Sequence, residues 1–177
     1  MVSLEEVKMF AINAHEGQVR KFTGEPYVEH CYAVAANVFE YMAVPNPDMV
    51  KAAYLHDTVE DTDVTMEDIV QRFGDTVAEA VWYLTKPESY VGNRSQRKAL
   101  DRARLGLAPP EVRMVKICDL MHNAPSIKKY DKPLWSTWRI EALELLGAMD
   151  ARYTWDNLCD RSKKDVYETF IEELLDA

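Results

Sequence analysis

The chain has few cysteines, no long apolar run and no surplus of basic residues, and each shortage excludes a class of protein. Its cysteines, Cys31, Cys118 and Cys159, are widely spaced with no Cys-x-x-Cys pair. This excludes a disulfide framework and a zinc knuckle, and it favours a reducing compartment. No apolar run reaches the roughly 20 residues of a membrane span. The acidic start Met-Val-Ser-Leu-Glu-Glu is unlike a signal peptide. We therefore expect a cytoplasmic protein with no membrane partner.

Acidic residues outnumber basic ones by 30 to 21, and the formal net charge is -9. Proteins that bind nucleic acid normally carry a basic surplus or a basic stripe, so a nucleic-acid partner is disfavoured. A small anionic substrate stays open if a metal ion or a local basic cluster reverses the field at its site. The composition, 47% hydrophobic and 29% charged, excludes a wholly disordered chain. Whether the chain forms a homo-oligomer is left open.

Apolar residues recur at steps of three and four positions, there are only six glycines, and no strand-like alternation occurs. This periodicity predicts helices at about 2–14, 28–42, 48–57, 66–73, 75–84, 95–107, from 110 onward, 138–149 and 162–175. A length of 177 residues suits one compact domain. We therefore expect an all-α fold of about eight to ten helices, with residues 1–177 in a single domain.

Histidine and carboxylate side chains concentrate at His30, at the adjacent pair His56-Asp57, and at Asp119. The adjacent pair puts an imidazole and a carboxylate together at the end of a helix. His30 and Asp119, from other helices, could complete a set of two nitrogen and two oxygen ligands. Such a set suits Mn²⁺ or Fe²⁺ with positions open for water and substrate, whereas a structural zinc site would be closed and richer in thiolate.

Each of these residues also has an ordinary structural interpretation. His30 can be a satisfied, partly buried side chain, Asp57 can cap a helix, and Asp119 can be a buried hydrogen-bonding residue. The acidic segment from Glu60 to Asp63 can be a solvated turn. The order and spacing of the histidine, the His-Asp pair and the distant aspartate favour the metal site.

Three longer strings carry a resemblance to a known family. They are Ala14-His-Glu-Gly-Gln-Val-Arg-Lys with Gly24-Glu-Pro-Tyr-Val-Glu-His30, Ala52-Ala-Tyr-Leu-His-Asp-Thr-Val-Glu-Asp-Thr62, and Val115-Lys-Ile-Cys-Asp-Leu-Met-His-Asn123. Over residues 4–125 the chain resembles the HD superfamily of metal-dependent phosphohydrolases. Within that superfamily it resembles the RelA/SpoT-type (p)ppGpp hydrolase domain and its small stand-alone, Mesh1-like forms. The resemblance implies a helical HD domain that removes the 3′-pyrophosphate from guanosine 3′,5′-bis(diphosphate).

The resemblance also implies which residues carry the chemistry. One metal ion, usually Mn²⁺, would be held by His30, His56, Asp57 and Asp119. The next two acidic residues, Glu60 and Asp61, would activate or orient the attacking water. Glu60 lies four positions after His56, and Asp61 four after Asp57, so each pair would share a face if the helix continued.

For the nucleotide, the resemblance implies a set of cationic and amide side chains: Arg20, Lys21, Asn123, Arg94, Arg97 and Lys98. Arg20 and Lys21 would lie beside the base, because an arginine plane can stack on a purine while a lysine meets a phosphate. Asn123, four residues after Asp119, would face the same pocket. The basic residues of the helix near 95 would meet phosphates. A solvated loop and an exposed charged helix are the structural alternatives for these cations.

The resemblance weakens on the substrate side. Leu120 follows Asp119 where the family has a basic residue, Ala124-Pro125 replace a Leu-Arg pair, and the loop with Phe22-Thr23 is one residue longer than usual. Two alternatives therefore stay open. The chain could be an HD phosphohydrolase for another nucleotide, such as a dNTP, a nucleoside monophosphate or NADPH, or a nucleotide-sensing module without turnover. Residues after about 130 have no assigned role.

Overall fold

The computed structural model describes residues 2–86 and 92–176, and helices form nearly all of their regular structure. The α-helices of this part of the chain are α1 (Leu4–Ala14), α2 (Val28–Tyr41), α3 (Pro47–Leu55), α4 (Thr58–Asp61), α5 (Met66–Phe73), α6 (Asp75–Leu84), α7 (Arg94–Gly106), α8 (Pro110–Tyr130), α9 (Lys132–Ala148), α10 (Ala151–Leu158) and α11 (Lys164–Leu175). A 3₁₀ turn, Arg161–Lys163, precedes α11. The described residues contain two isolated β-bridges but no strand, and the all-α prediction is confirmed.

None of the described helices combines the length and the apolar character that crossing a membrane requires. The prediction that one domain spans 1–177 includes positions 1, 87–91 and 177, which lie outside the described residues. The limits of the domain therefore stay a prediction.

Helix α8 lies at the centre of the fold, where it packs against α2, α3, α6, α9 and α10. Its buried residues occur on all of its sides rather than in one stripe, which is typical of a helix enclosed by others. Helices α2 and α3 pack closely on one another beside it. As a result, His30 on α2, His56 at the end of α3 and Asp119 on α8 all belong to neighbouring elements.

Two helices begin earlier than the sequence predicts, because each has a proline in its first turn. Helix α3 begins at Pro47 rather than Asp48, and the Asn46 side chain caps it by accepting from the Asp48 backbone N–H at 3.0 Å. Helix α9 begins at Lys132 rather than near 138, with Asp131 accepting from the Leu134 N–H at 3.1 Å. Proline is well tolerated at this position, where its missing N–H would have no helical partner. Helix α10 was not predicted.

The half-buried Arg113 ties the C-terminal ends of two helices to α8. Its guanidinium donates to the carbonyls of Ala108 at 2.6 Å and Gly106 at 3.0 Å, just after α7 and at its last residue. It also donates to the carbonyl of Met149, which caps α9, at 2.8 Å. Terminal helix carbonyls have no donor within their own helix, so one side chain satisfies three acceptors that would otherwise need water.

Replacing Arg113 with alanine should therefore destabilise the fold. We expect Arg113→Ala to lower the free energy of unfolding by about 2 kcal/mol, because hydrogen bonds from a charged donor are lost and acceptors are left unpaired. Urea unfolding followed by circular dichroism measures this. The exposed Arg161 provides the control, since Arg161→Ala should stay within about 0.5 kcal/mol of the wild type. Equal stability of the two variants would contradict the role of Arg113.

Candidate metal and nucleotide site

A break between two helices places the adjacent His56 and Asp57. Helix α3 ends at Leu55, α4 begins at Thr58, and the Thr58 hydroxyl donates to the Leu55 carbonyl at 2.7 Å across the turn. Helix α3 therefore does not continue into α4. The expected pairing of His56 with Glu60 on the face of one continuous helix is not formed. Asp57 occupies the N-cap position of α4, but its side chain makes no capping hydrogen bond. Its carboxylate lies beside the histidines instead.

Four side-chain atoms from three parts of the fold converge at this turn. His56 Nε2 lies 3.2 Å from His30 Nε2 and 3.1 Å from Asp57 Oδ2. His30 Nε2 lies 3.4 Å from Asp57 Oδ2 and 3.2 Å from Asp119 Oδ1. His56 Nε2 and Asp119 Oδ1 are 3.8 Å apart. The structure thus brings together all four of the residues that the sequence suggested as metal ligands.

Each histidine ring is held by a contact of its Nδ1 atom, which faces away from the cluster of candidate ligand atoms. His56 Nδ1 donates to the Ala53 carbonyl at 2.7 Å, so in the neutral ring Nε2 keeps its lone pair. His30 Nδ1 lies 2.8 Å from Nδ1 of His122, a histidine on α8. The two Nε2 atoms therefore face each other and the carboxylates, with both rings almost fully buried.

The buried charges hold one another in their ionised forms. Burial by itself would lower the pKa of His56, but Asp57 and Asp119 outweigh it and raise that pKa to about 10. For the carboxylate of Asp119, burial by itself would raise the pKa, but Lys116 and the two histidines hold that pKa well below its usual range. The pKa of Asp57 is also well below its usual range, because the histidines oppose the effect of burial. Two carboxylates beside two imidazoles favour a cation at this position.

The donor set fits a divalent ion. Ligand atoms on an ion with bonds of about 2.1 Å lie about 3.0 Å apart when they are cis in an octahedron. The five distances given above among the four atoms run from 3.1 to 3.8 Å. His30, His56 and Asp57 offer nitrogen and oxygen donors that all lie within 4.8 Å of one another. Borderline imidazole with hard carboxylate suits a first-row divalent ion, and the group of His30, His56 and Asp57 contains no cysteine.

Glu60 and Asp61 lie beside the candidate metal ligands in α4, but in different surroundings. Glu60 accepts from the backbone N–H of Lys86 at 3.1 Å, and its carboxylate also pairs with the Lys86 ammonium. Asp61 is more open to solvent, yet partial desolvation, Asp57 and Glu60 raise its pKa. The Tyr27 hydroxyl donates to Asp57 Oδ2 at 2.7 Å, and the nearby Tyr27 partly opposes the rise in the Asp61 pKa. Tyr27 therefore holds the carboxylate of a candidate metal ligand close to a candidate catalytic carboxylate.

A cavity with an aromatic and cationic wall is lined in part by Asn123, which donates a hydrogen bond to Asp119. Its lining residues are Arg20, Lys21, Phe22, Thr23, Tyr27, Asn123, Ser126, Ile127 and Leu134. Arg20 lies over the Tyr27 ring at 5.7 Å and donates to Asn123 Oδ1 at 2.8 Å. Lys21 is mostly exposed, and its ammonium lies 3.4 Å from Asp131. The structure thus brings Arg20 and Asn123 together and puts Lys21 at the rim. We name this cavity the aromatic cavity.

A second cavity, rich in cations, is lined in part by Lys116, which donates a hydrogen bond to the other carboxylate oxygen of Asp119. Five cations and two carboxylates contribute to its lining, which is formed by Leu84, Lys86, Lys98, Asp101, Arg102, Arg104, Leu105, Lys116, Leu120, Glu141, Ala142 and Leu145. We name it the basic cavity. Burial lowers the pKa of Lys98, and Lys86 lowers it further. Such a concentration of positive charge on an acidic protein is the local basic cluster that an anionic substrate requires.

The three basic residues expected to meet phosphates have different positions. Lys98 lines the basic cavity. Arg94 makes a bidentate pair with Glu141, with N–O distances of 2.6 and 2.9 Å. Arg97 is exposed, donates to the Gly92 carbonyl and does not line the cavity.

Several polar residues of the site were missed in the sequence, among them Tyr27, Lys86, Lys116 and His122. Lys116 could have been found, because it lies three positions before Asp119 and a helix places such residues on one face. Tyr27 and His122 stand inside the strings that carry the family resemblance. Lys86 reaches Glu60 across 26 positions of sequence, and no local pattern predicts that pairing.

A comparison with family models defines the class of this protein. The model of the HD domain matches residues 8–144, so the chain belongs to the HD domain family. The family resemblance inferred from the sequence is confirmed. Membership of this family implies a divalent metal, and the cluster of His30, His56 and Asp57 offers a place for one.

The relatives include small enzymes of similar length. The chain is 32% identical to the guanosine-3′,5′-bis(diphosphate) 3′-pyrophosphohydrolase MESH1 of Danio rerio, over 79% of this chain and 77% of the relative. It is 30% identical to the Homo sapiens protein of the same name, over 78% and 76%. A solved metazoan ortholog of SpoT has the same fold, with a TM-score of 0.74 at 23% identity over 84% of this chain and 87% of that one. The Listeria monocytogenes protein lmo0812 matches with a TM-score of 0.60 at 30% identity, over 73% and 84%.

Metal binding at this cluster should release a proton and strengthen as pH rises. Without metal, His56 has a pKa of about 10 and is protonated at pH 7. An ion that takes the His56 lone pair must displace that proton. We expect the affinity for Mn²⁺ to rise about tenfold per pH unit between pH 6 and 8, as for one competing proton. Calorimetry in two buffers of different ionisation enthalpy counts the protons released.

A variant pair tests whether this cluster is the binding place. Asp57→Ala should abolish Mn²⁺ binding while the helical circular dichroism spectrum persists. The nearby, exposed Asp63 is the control, and Asp63→Ala should bind Mn²⁺ like the wild type. Affinity that is independent of pH, or retained in Asp57→Ala, would contradict the assignment.

Proposed function

We propose that this chain is a cytoplasmic, Mn²⁺-dependent hydrolase that removes the 3′-pyrophosphate from guanosine 3′,5′-bis(diphosphate). The products are GDP and pyrophosphate, and the 5′-triphosphate form gives GTP in place of GDP. The names of the relatives support the substrate, since the MESH1 proteins are called 3′-pyrophosphohydrolases of this nucleotide. The three buried, free cysteines suit a reducing compartment.

The observation that carries the proposal is that Asp119 accepts a hydrogen bond from one lining residue of each cavity. Its Oδ1 accepts from Asn123 Nδ2 at 2.6 Å, and Asn123 lines the aromatic cavity. Its Oδ2 accepts from Lys116 Nζ at 2.6 Å, and Lys116 lines the basic cavity. A guanine in the first cavity and phosphates in the second would bring the sugar and its 3′ substituent to the candidate metal ligands. A nucleotide phosphorylated on both the 3′ and 5′ positions matches this arrangement.

His30, His56, Asp57 and Asp119 would hold the ion, and their mixture of imidazole and carboxylate is the support for Mn²⁺. When bound, a divalent ion supplies Lewis acidity to a phosphoryl group and lowers the pKa of water. The hydrolysis itself adds water across one bond. A hydroxyl goes to phosphorus, the bond from phosphorus to the 3′ oxygen breaks, and that oxygen leaves with a proton.

Glu60 and Asp61 would orient the attacking water and accept the proton that it loses. The raised pKa of Asp61 makes it a stronger base than an ordinary aspartate, closer to the range where a general base is effective. Tyr27 fixes the Asp57 carboxylate beside it through the 2.7 Å hydrogen bond. Glu60, paired with Lys86, would orient water while Lys86 offers its charge to a phosphate.

The guanine of the nucleotide would lie against Arg20. The Arg20 guanidinium already stacks over Tyr27 and is fixed by its hydrogen bond to Asn123, so its planar face is pre-organised. A guanidinium plane stacks well on a purine and loses little freedom when it does so.

The first test measures pyrophosphate release from ppGpp by chelator-stripped protein, with and without Mn²⁺. We expect Glu60→Gln to bind Mn²⁺ normally and to lose at least about 100-fold in kcat, because general acid–base assistance typically contributes that much. Glu67→Gln, an exposed glutamate on α5, is the control and should keep full activity. Full activity in Glu60→Gln would remove Glu60 from the mechanism.

A second test uses two adjacent cations on α7. Lys98 lines the basic cavity and Arg97 does not, so Lys98→Met should raise KM for ppGpp about tenfold while Arg97→Met leaves it unchanged. Equal KM values for the two variants would show that the basic cavity does not receive phosphates.

Replacing Glu141, in the same cavity, should change KM in the direction opposite to that of Lys98→Met. Its carboxylate holds Arg94 and lies 3.9 Å from Lys98, so an entering phosphate competes with it. We expect Glu141→Gln to lower KM for ppGpp several-fold, with Glu168→Gln, whose partner Arg152 does not line the cavity, as the matched control. A higher KM in Glu141→Gln would mean that Glu141 holds the cations in place for the substrate.

Hydrolysis of another nucleotide is the second candidate, and Leu120 favours it. This residue, apolar where the family has a basic one, is buried and lines the basic cavity, so one positive charge is missing there. A panel of ppGpp, dNTPs, nucleoside monophosphates and NADPH separates the two candidates, and equal rates on unrelated nucleotides would overturn the first. Nucleotide binding without metal-dependent product release would instead identify a sensing module.

A further inference from the structure

His122 contacts a candidate metal ligand without belonging to the candidate ligand set. It lies on α8 one position before Asn123, and its ring is partly buried. Its Nδ1 is 2.8 Å from Nδ1 of His30, and the centroids of the two rings are 4.9 Å apart. His30 Nε2, on the far side of its own ring, faces Asp57 and Asp119.

The chemistry of imidazole determines how the proton must be shared in this pair. A histidine that ligates through Nε2 needs a lone pair there, so the neutral ring carries its proton on Nδ1. That Nδ1–H needs an acceptor, and His122 Nδ1 lies at hydrogen-bonding distance from it. His122 can accept only as a neutral ring protonated on its own Nε2. When His30 ligates through Nε2, the 2.8 Å contact therefore requires one tautomer of each ring.

The other candidate histidine ligand has its own orienting acceptor. His56 Nδ1 donates to the backbone carbonyl of Ala53, which no substitution of a side chain can remove. The corresponding acceptor for His30 is a side chain. This difference makes the orientation of His30, but not that of His56, open to a test by mutation.

We propose that His122 is a positioning residue that fixes the tautomer and the ring orientation of His30 for metal binding. The inference rests on the metal-binding part of the proposed function and not on the identity of the nucleotide. Outer partners of metal-bound histidines typically change metal affinity by about 10- to 100-fold when they are removed. A histidine that only fills space would affect the stability of the fold and leave the metal affinity unchanged.

The test compares two replacements for His122. Phenylalanine keeps a ring of similar size but has no acceptor, whereas the Oδ1 atom of asparagine can take the place of Nδ1 and accept the same hydrogen bond. The control is Asn37→Ala, which alters the wall of the groove that His122 also lines. The measurements are the Kd for Mn²⁺, from the electron paramagnetic resonance signal of the free ion, and the thermal midpoint of the metal-free protein.

We expect His122→Phe to weaken Mn²⁺ binding about 10- to 100-fold, with His122→Asn and Asn37→Ala both within about threefold of the wild type. Saturating Mn²⁺ should restore most of the kcat of His122→Phe. Wild-type affinity in His122→Phe, or a loss in His122→Asn as large as in His122→Phe, would overturn the inference. If His122→Phe does not fold, His122→Leu takes its place with the same expectations.

These outcomes separate the inference from the proposed reaction, because the Kd is measured without nucleotide. A wild-type chain that does not bind Mn²⁺ would overturn the role of His122 together with the metal site. A wild-type chain that binds Mn²⁺ and does not hydrolyse ppGpp would overturn the proposed substrate alone.

Discussion

The site depends on the burial of the Asp119 carboxylate at the centre of the fold. A buried charge is costly unless it is paired and hydrogen-bonded. Lys116 and Asn123 satisfy it from its own helix, and His30 approaches it from α2. Each of these partners also belongs to another part of the site. The requirement to satisfy one carboxylate therefore brings together the ligand cluster, the aromatic cavity and the basic cavity.

The same principle governs the basic cavity, where internal carboxylates offset most of the positive charge. Lys86 pairs with Glu60, Arg102 with Glu144, and Arg104 with Asp101. A cavity lined by unpaired cations would destabilise the fold, because the positive charges would repel one another. The pairs stabilise the cations and leave Lys86 and Arg102 near the surface, where a phosphate can compete for them. A protein with a net charge of -9 can in this way present a positive cavity to an anionic substrate.

Most helices and the four candidate ligands could be predicted from the sequence, because their signals are local. The capping box at Thr65 and Asp68 fixes the start of α5, and apolar periodicity identifies α2 and α6. The starts of α3 and α9 were placed too late, since Pro47 and Pro133 act as first-turn residues rather than as helix breakers. Helix α10 begins after Asp150, whose left-handed backbone at φ 48° gives no signal in a residue other than glycine.

The sequence by itself determined the helical class and indicated which residues are candidate ligands, because these follow from residue type and from the order and spacing of the residues. Only the tertiary structure decided which charges meet. Lys98 reached the cavity while Arg97, its neighbour, did not, since a helix points successive side chains about 100° apart. His122 became the partner of His30 across 92 positions. Such contacts depend on how α8 packs against α2, and no local pattern of residues carries that information.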